Sequence, residues 1–441
     1  MSTTSYHANP VNLEHPVNRI DKICTIGRML GEAIRMSLLD RAFYLLDSAR
    51  SPQDFTLILH LNDAPSIDSF YAGARSAMNL FPTSASCVRG RDWVWRENKY
   101  FKLEIFSTAS EDESRAAIGR FIDDRFDLRR QPPVRQAVIL NGSGTVCLAT
   151  RFHHSAADGL SAALWLGHQL NVAYRIETAQ IERAPFAGVL LRRLQTSVRR
   201  SQFAFDGASD PLRTSSSNRS GSRRWHSINF PASDLQKSCR NAGGFTYNDL
   251  LATCGLETLS HWNNCRGGKG KIGLWVPMNI RREHNASFGN GTSRIRVYAR
   301  YDANASFTEK CRQVRRQVSW TSKHGEWVVP EIPWFTRLPT PVIRPLLRNY
   351  LKLPSVDMAT AVFSHAGSWI ANAGEAFKHV RQIECVGLLH SRQNLAMNAA
   401  THDGQTWLTL TYNSSSLSAD DVQELGRIYE QQIAVARKEL F

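Results

Sequence analysis

The sequence predicts an α/β or α+β protein built as two lobes, and three observations carry this prediction. Segments with strand-like and helix-like periodicity occur in both halves of the chain. The 441 residues exceed a single domain of about 100–200 residues, and 42% of them are hydrophobic, which suits a sizeable core. A stretch rich in Ser, Gly, Asn and Arg predicts a flexible basic linker at 203–224, between an N-terminal lobe at 1–202 and a C-terminal lobe at 225–441.

Hydrophobic periodicity defines the elements of the N-terminal half. Phe55, Leu57, Leu59 and Leu61 occupy every second position, which predicts a strand, and Asp68 opens a helix that runs through Leu80. Residues 134–140 and 145–151 flank an Asn-Gly-Ser-Gly turn and therefore predict a hairpin. A helix with one apolar side follows, so the second hairpin strand leads directly into a helix.

The C-terminal half repeats this mixture of helices and strands. Proline in the first turn predicts a helix from Pro231 to Cys239, and Thr246 caps a stronger helix that extends to Trp262. Ser418 caps the terminal helix. The remaining predicted elements are strands at 271–278 and 293–298, a basic helix at 307–321, and short strands near 360–364, 382–389, 394–400 and 405–412.

The chain is strongly basic. Its 54 Lys and Arg residues against 39 Asp and Glu residues give a formal net charge of +15, which favours anionic partners. Nucleic acid is disfavoured, because no helix-turn-helix, zinc or RNA-binding signature accompanies the charge. Part of the positive charge lies on a segment predicted to be helical, which is either a docking face for an anionic protein or an amphipathic helix with a solvated face. Its arginines are Arg192, Arg193, Arg199 and Arg200.

Cysteine usage and hydropathy bound the cellular context. None of the eight cysteines forms a C-x-x-C pair, so reduced, mostly buried thiols are expected. The first 20 residues have no apolar signal-peptide core, and no apolar stretch reaches the ~18–20 residues of a membrane-spanning helix. We expect a monomeric, cytoplasmic protein without a transmembrane segment.

The segment from Arg151 to Leu160, RFHHSAADGL, is the most informative part of the sequence. His153 and His154 end an apolar strand, where neighbouring side chains point to opposite faces. One imidazole should therefore support the structure while the other lines a cleft, and a neutral imidazole can take a proton from a hydroxyl or an amine. Asp158 can organise the turn by a cap or an ion pair, and Gly159 permits a tight turn or a close backbone approach.

Two other interpretations of this histidine pair stay open from the residues alone. The pair and the aspartate could be metal ligands, although opposed faces count against a shared ion. The histidines could also be purely structural at a strand end.

HHSAADG resembles the HHxxxDG signature of the condensation-domain and chloramphenicol-acetyltransferase-like superfamily. Its members include peptide synthetase condensation domains, plant BAHD acyltransferases, wax ester synthases and polyketide-associated acyltransferases. The resemblance extends over roughly residues 35–437. The supporting segments are FDL at 126–128 with Pro133 and Arg135, VPMNIR at 276–281, FGN at 288–290, SHAG at 364–367 and YN at 412–413.

This resemblance implies a fold and a set of roles. The fold is two chloramphenicol-acetyltransferase-like lobes, each a mixed sheet with helices, that meet in a V with a tunnel between them. His154 is the implied general base and His153 its structural neighbour. Asp158 is structural and pairs with Arg281, while Gly159 lets the acyl thioester approach.

The implied reaction is acyl transfer, ester- or amide-forming, from a thioester donor. The co-substrate is a phosphopantetheine thioester on a carrier protein or on coenzyme A, and the acceptor is a small amine or alcohol. No permanently bound cofactor and no metal are implied. Ser364 and Asn290 are candidates for the tunnel wall or the oxyanion site, with the backbone N–H near Gly159 as a further candidate donor.

Three departures keep the subfamily open. The first-lobe segment at 81–86 lacks the arginine of the family's P-x-LR pattern, His365 replaces the asparagine of SN-x-G, and the DFGWG motif is absent. We expect a free-standing condensation-type enzyme that works with an acyl or peptidyl carrier protein, in natural-product biosynthesis. The alternatives are an alcohol O-acyltransferase that uses acyl-coenzyme A and an inactive relative that serves as a binding module.

Overall fold

Two six-stranded mixed sheets organise the chain. They are seen in a computed structural model that describes residues 3–5, 33–49, 51–95, 101–142, 146–176, 209–214, 221–279, 281, 288–299, 304–324, 338–350, 359–367, 374–390 and 393–440. The arginine-bearing segment around Arg192, Arg193, Arg199 and Arg200 lies outside these residues. Mixed sheets with flanking helices confirm the predicted α/β class.

The first sheet has the strand order β1-β6-β7-β8-β3-β13. All neighbours are antiparallel except β6 and β7. Helices α2 and α4 cover one face and α3 covers the other. The strands are β1 (Thr3–Ser5), β3 (Asp54–Leu61), β6 (Leu103–Thr108), β7 (Val134–Asn141), β8 (Val146–His153) and β13 (Val380–Val386), and the helices are α2 (Ile67–Leu80), α3 (Glu111–Asp123) and α4 (Gly159–Ala173).

The second sheet has the order β11-β10-β12-β14-β15-β9 and forms the larger core with α6, α7 and α9 on one face. Strands β10, β12 and β14 run parallel, and the other pairs are antiparallel. Its strands are β9 (Arg223–Pro231), β10 (Ile272–Asn279), β11 (Thr292–Ala299), β12 (Ala361–Ala366), β14 (Leu395–His402) and β15 (Gln405–Asn413). The helices of this half are α5 (Ser233–Ala242), α6 (Tyr247–Cys265), α7 (Phe307–His324) and α9 (Ala419–Leu440).

A small cluster completes the fold beside the histidine motif. It combines the three-stranded sheet β2-β5-β4 with helices α1 and α8, and its buried side chains include Tyr44, Trp93 and Ile343. The elements are β2 (Ala33–Arg35), β4 (Ser86–Arg89), β5 (Asp92–Trp95), α1 (Leu38–Leu46) and α8 (Thr340–Tyr350). This cluster places α1 over the motif.

One strand departs from the predicted division of the chain into lobes. β13 comes late in the sequence, yet it pairs antiparallel with β3 in the first sheet rather than with the second. Its Ile383 and Val386 enter the cores under that first sheet. The sheet built mainly from 1–202 is therefore completed by the C-terminal half, and the two halves cannot separate along the predicted boundary without losing this pairing.

The predicted linker at 203–224 is wrong for its described parts. Leu212 is buried in the second core, and the backbone N–H of Asp210 donates to the Lys271 carbonyl at 2.8 Å. Arg223 begins β9 and is only 6% exposed. Its guanidinium donates a hydrogen bond to Asp54 of β3 at 2.9 Å, so its charge is paired in the interior. Residues 203–208 and 215–220 lie outside the described residues.

Helix starts follow local capping chemistry, with two corrections. The Thr246 cap of α6 is confirmed by its side chain, which accepts the Asp249 N–H, and Ser418 caps α9 by accepting the Asp421 N–H at 3.0 Å. The N-cap of α2 is Ser66 rather than Asp68. Pro231 ends β9 instead of opening a helix, since α5 starts at 233. Among the helices that the structure describes, none combines the length and apolar character needed to cross a bilayer.

Candidate active site

The turn from β8 into α4 presents the two histidines on opposite sides. His153 ends β8 and is 1% exposed, with its ring edge-on to Phe126. Its Nδ1 accepts the backbone N–H of Ser155 at 3.1 Å, so the ring proton is on Nε2, 3.8 Å from Asp47 Oδ1. His153 is thus an interior residue that fixes the turn.

His154 is half-buried between two aromatic rings. Its imidazole stacks on Phe43 of α1, with ring centroids 4.4 Å apart and planes 14° apart, and Phe55 of β3 is tilted against it at 5.1 Å. The His154 Nδ1 atom lies 3.3 Å from Asn290 Oδ1. The ring is therefore held by two aromatic contacts and by a hydrogen bond at one nitrogen.

The orientation of the Asn290 amide determines which nitrogen of His154 is protonated. Asn290 Nδ2 donates to Asp40 Oδ1 at 2.8 Å and to the backbone carbonyl of His154, so both amide hydrogens have acceptors. Oδ1 must then accept from His154 Nδ1–H, which leaves the lone pair on Nε2. The candidacy of Asn290 as an oxyanion donor is wrong for the same reason, because its amide hydrogens are already used.

The electrostatic surroundings keep the His154 imidazole neutral. Burial is the main influence and lowers the pKa of His154 below its usual value, although the Asp158 charge and the Asn290 hydrogen bond oppose it. An imidazole of this kind is unprotonated at neutral pH. His154 Nε2 can consequently accept a proton, which is the chemistry required of a general base.

Asp158 is fully committed to structural bonds. Arg281 donates to it in bidentate fashion, with Nη1–Oδ2 and Nη2–Oδ1 distances of 2.7 and 2.9 Å, which is the ion pair that the resemblance implied. The N–H groups of Ser161 and Gly291 and the hydroxyl of Thr292 donate to the same carboxylate. Burial alone would raise the pKa of Asp158, but these donors and the Arg281 charge outweigh it and hold the pKa below its usual value. Asp158 thereby ties the start of α4 to β11.

The other predicted residues are placed as follows. Gly159 is the first residue of α4, directly behind Asp158. Ser364 lies half-buried on β12. Its neighbour His365 is within 2.8 Å of Thr401 Oγ1, and burial lowers the pKa of His365 to about 4. The roles of Gly159 and Ser364 toward the thioester and the oxyanion stay predictions.

Sequence reasoning missed the contribution of α1. Asp40 accepts the backbone N–H of Ser37 in a capping box and the Asn290 amide with its other oxygen, so a helix cap also supports the histidine. The pattern Ser37-x-x-Asp40 was a readable signal for the cap. Its link to position 290 was not readable, because 250 residues separate the two side chains.

A basic cavity of about 590 Å³ opens behind His153. Asp47 belongs to its wall and pairs with Arg125 at 3.1 Å. Arg129 and Arg344 both contact Tyr44, and Arg344 Nε has no hydrogen-bond partner among the described residues. The complete lining is Tyr44, Asp47, Ser48, Ala49, Arg125, Phe126, Asp127, Leu128, Arg129, Arg130 and Arg344, with four arginines against two aspartates.

Metal ligation finds no support in the part of the chain that the structure describes. No group of three or more His, Cys, Asp or Glu side chains there could hold a metal ion. The opposed rings of His153 and His154 are consistent with this finding, since each ring has its own separate partners.

Comparison with solved structures places the fold. A cyclization-docking bidomain of the peptide synthetase EpoB from Sorangium cellulosum superposes with a TM-score of 0.64 at 13% identity, over 99% of this chain and 96% of that one. The first condensation domain of the calcium-dependent antibiotic synthetase gives 0.65 at 14% identity, over 92% and 97%. A wax ester synthase/diacylglycerol acyltransferase from Marinobacter aquaeolei VT8 gives 0.58 at 15% identity, over 92% and 99%.

These likenesses define the chain as a protein with the two-lobe fold of condensation domains, which a wax ester synthase shares. They confirm the fold that HHSAADG and its surrounding segments implied. No family model and no curated protein matches the sequence.

Proposed function

We propose that the protein is a condensation-type acyltransferase that moves an acyl group from a phosphopantetheine thioester to an amine or hydroxyl acceptor, with His154 as the general base. The observation that carries this proposal is the neutral imidazole, in contact with the rings of Phe43 and Phe55, with Nδ1 bound to Asn290 and Nε2 left to accept a proton. The condensation-domain fold supports the same reaction class by analogy.

The chemistry needs no covalent enzyme intermediate, because the thioester is already activated. As the acceptor's nitrogen or oxygen attacks the thioester carbonyl carbon, its proton passes to His154 Nε2. The tetrahedral oxyanion then collapses, the C–S bond breaks, and the imidazolium returns the proton to the leaving thiolate. The stack on Phe43 and the Asn290 contact hold the base in one orientation throughout, which lowers the entropic barrier.

We propose a carrier protein as the donor, and the basic cavity behind His153 supports an anionic donor. Arg125, Arg129, Arg130 and Arg344 surround it, close to the buried face of the motif. Both coenzyme A and phosphopantetheine carry phosphate, for which guanidinium groups are suited. The net charge of +15 favours the carrier protein, since carriers are acidic proteins and a broad positive field steers them.

The test offers one acyl group on an acidic carrier protein and on coenzyme A, across a range of salt concentrations. We expect faster turnover with the carrier and a rate that falls as salt rises. Arg344→Gln should raise the KM for the donor. The matched control is Arg240→Gln, which replaces an exposed arginine on α5 and should leave this KM unchanged. Equal or better turnover with coenzyme A would favour the alternative, an alcohol O-acyltransferase that uses acyl-coenzyme A. Absence of transfer from both donors would favour a binding module.

A further inference from the structure

A thiol, an imidazole and a carboxylate lie in sequence on one face of the first sheet, at the end of the β3–β8 pair opposite to His154. His60 of β3 and Cys147 of β8 are directly opposite each other across the two strands, so both side chains point to the same face. The Cys147 Sγ atom is 3.2 Å from His60 Nδ1, and His60 Nε2 is 3.4 Å from Oε2 of Glu384 on β13. A nucleophile, a base and an orienting acid in this order are the arrangement that activates a cysteine in enzymes.

The carboxylate behind the imidazole is itself held in place. The Glu384 side chain is only 3% exposed, and its Oε2 atom accepts from the indole N–H of Trp225 on β9 at 3.2 Å. The Arg115 guanidinium of α3 is 3.9 Å from the other carboxylate oxygen, and its Cζ atom lies 4.9 Å from the centroid of the Trp225 ring. Because these contacts fix the acid, they also fix which edge of the His60 ring faces the sulfur.

The charges around His60 place a proton between its ring and the sulfur. Burial alone would lower the pKa of His60, but Cys147 and Glu384 outweigh it and raise this pKa to about 9. With Nε2–H directed to Glu384, the proton at Nδ1 lies in the hydrogen bond to Sγ, and when it resides on Nδ1 the sulfur is a thiolate, the reactive form of cysteine. Two further titratable side chains face Glu384, namely Arg115 and His226 of β9, and burial, assisted by Arg115, lowers the pKa of His226.

Three other thiols of the chain are made unreactive by their burial. It raises the pKa of Cys239, Cys311 and Cys385 to about 12. Cys311 is also 0% exposed, whereas Cys147 is 5% exposed and the His60 side chain beside it 16%. The thiol of Cys147 therefore lies beside a partly exposed ring, within reach of a reagent as small as hydrogen peroxide.

We propose that Cys147 is a redox-modification site, whose thiol is activated by His60 and Glu384 and is oxidised by hydrogen peroxide to a sulfenic acid. The sulfur attacks one peroxide oxygen, so an S–O bond forms as the O–O bond breaks. The sulfur loses two electrons to the peroxide, and the leaving hydroxide takes the thiol proton from His60 Nδ1 and departs as water. The proposal goes beyond acyl transfer and does not depend on it, because the three side chains lie at the opposite end of the strand pair from His154.

Limited oxidation of the full, reduced chain measures which cysteine reacts first. The protein is treated with one equivalent of hydrogen peroxide at pH 7, unfolded in excess iodoacetamide and digested with trypsin, so that mass spectrometry detects each oxidised thiol by its missing alkyl group. Cys147 is the only cysteine of the tryptic segment 136–151. We expect Cys147 to lose about tenfold more label than the buried Cys239 and Cys311, and about tenfold more than the exposed Cys265.

His60→Gln tests the imidazole, and His226→Gln is the matched control. His226 is a half-buried histidine near Glu384 that forms no hydrogen bond with Cys147. We expect His60→Gln to slow the oxidation of Cys147 about tenfold and His226→Gln to leave it at the wild-type rate.

The pH dependence of the wild-type protein supplies a second test if His60→Gln fails to fold. The oxidation rate of Cys147 should change less than about twofold between pH 6 and pH 8, whereas that of free cysteine in the same solution rises about tenfold per pH unit. Fastest oxidation at Cys265, equal rates in His60→Gln and His226→Gln, or a Cys147 rate that rises with pH like that of free cysteine would each overturn the site. His154→Ala should be oxidised at the wild-type rate, so failure of the proposed acyl transfer leaves this test unaffected.

Discussion

Two half-buried histidines lie at opposite ends of the same strand pair, and their pKa values are shifted in opposite directions. His154 follows the end of β8, whereas His60 lies near the end of β3, beside Cys147 at the start of β8. His154 has an amide as its hydrogen-bond partner and a lowered pKa. His60 has Glu384 Oε2 at 3.4 Å and Cys147 Sγ at 3.2 Å, and these partners raise its pKa to about 9 although burial alone would lower it.

The difference shows that the partner, more than burial, decides what a histidine can do. A carboxylate next to His60 makes the ring a cation with both nitrogens occupied, which stabilises the junction of β3, β8 and β13. No carboxylate is hydrogen-bonded to the His154 ring. Asp40 binds the Asn290 amide instead, and Asp158 is paired with Arg281. The lone pair on Nε2 remains available, so this ring suits proton transfer.

The largest expected effect is a loss of catalytic rate when His154 is replaced and a loss of stability when His60 is replaced. His154→Ala should lower acyl transfer by about two to four orders of magnitude, the usual contribution of a general base, and leave thermal stability nearly unchanged. His60→Ala should do the reverse, because it leaves Glu384 buried without its imidazolium. Turnover and melting temperature are measured for both variants. Near-wild-type turnover in a folded His154→Ala protein would contradict the assignment of the base.

The second effect concerns the ion pair that holds the motif against the second sheet. Asp158→Asn removes the carboxylate charge that neutralises Arg281, whose side chain is only 2% exposed, so the free energy of unfolding should fall by about 3–5 kcal/mol. Activity should fall with it, because the start of α4 loses its attachment to β11. Denaturant unfolding measures the loss, with Asp234→Asn on the exposed first turn of α5 as the control. Equal stability of the two variants would show that the pair is not structural.

A smaller effect is expected from the chain Asp40–Asn290–His154. Asp40→Asn replaces the carboxylate that fixes the amide, and the loss of a charged hydrogen bond of about 1.5–3 kcal/mol predicts a 10- to 100-fold lower kcat. Removal of the negative charge should also lower the pKa of His154 further, so the acid limb of the pH–rate profile moves to lower pH.

Ser37→Ala provides the control for this prediction, since it weakens the cap of α1 and leaves the contact between Asp40 and Asn290 in place. Its pH–rate profile should match that of the wild type. If both variants lose stability and neither shifts the profile, Asp40 acts only as a helix cap.

The sequence was sufficient for the fold class and for the motif, because both depend on local patterns. Alternation in β3 and the apolar side of α2 place Phe55, Phe70 and Met78 in the core as their periodicity indicates. The two histidines lie on opposite faces because strand geometry requires it.

Long-range placement explains what the sequence did not reveal. Nothing in the segment around Val380–Val386 distinguishes a strand of the second sheet from one that completes the first, since pairing with β3 depends on packing. Arg223 looked like part of a solvated basic stretch and is instead buried against Asp54.

The smallest expected effect is a pH dependence of stability that belongs to the His60 cluster and not to His154. The pKa of His60 is about 9 in the folded protein against an ordinary value of 6.5, so the folded state binds the proton more tightly than the unfolded state. Its stabilisation is complete below about pH 6.5 and is lost as the pH rises through 9.

The partner carboxylate has the opposite dependence. The pKa of Glu384 falls to about 2, because His60 and Arg115 outweigh the effect of burial, so its contribution is present above about pH 4.5 and is lost toward pH 2. The cluster is therefore most stabilising between these limits. Chemical denaturation from pH 6 to pH 9 should show a decline of about 1–3 kcal/mol in the wild type and a flatter profile in His60→Gln. An equal decline in both proteins would mean that His60 is not the titrating group, and the contrast with His154 would lose its electrostatic basis.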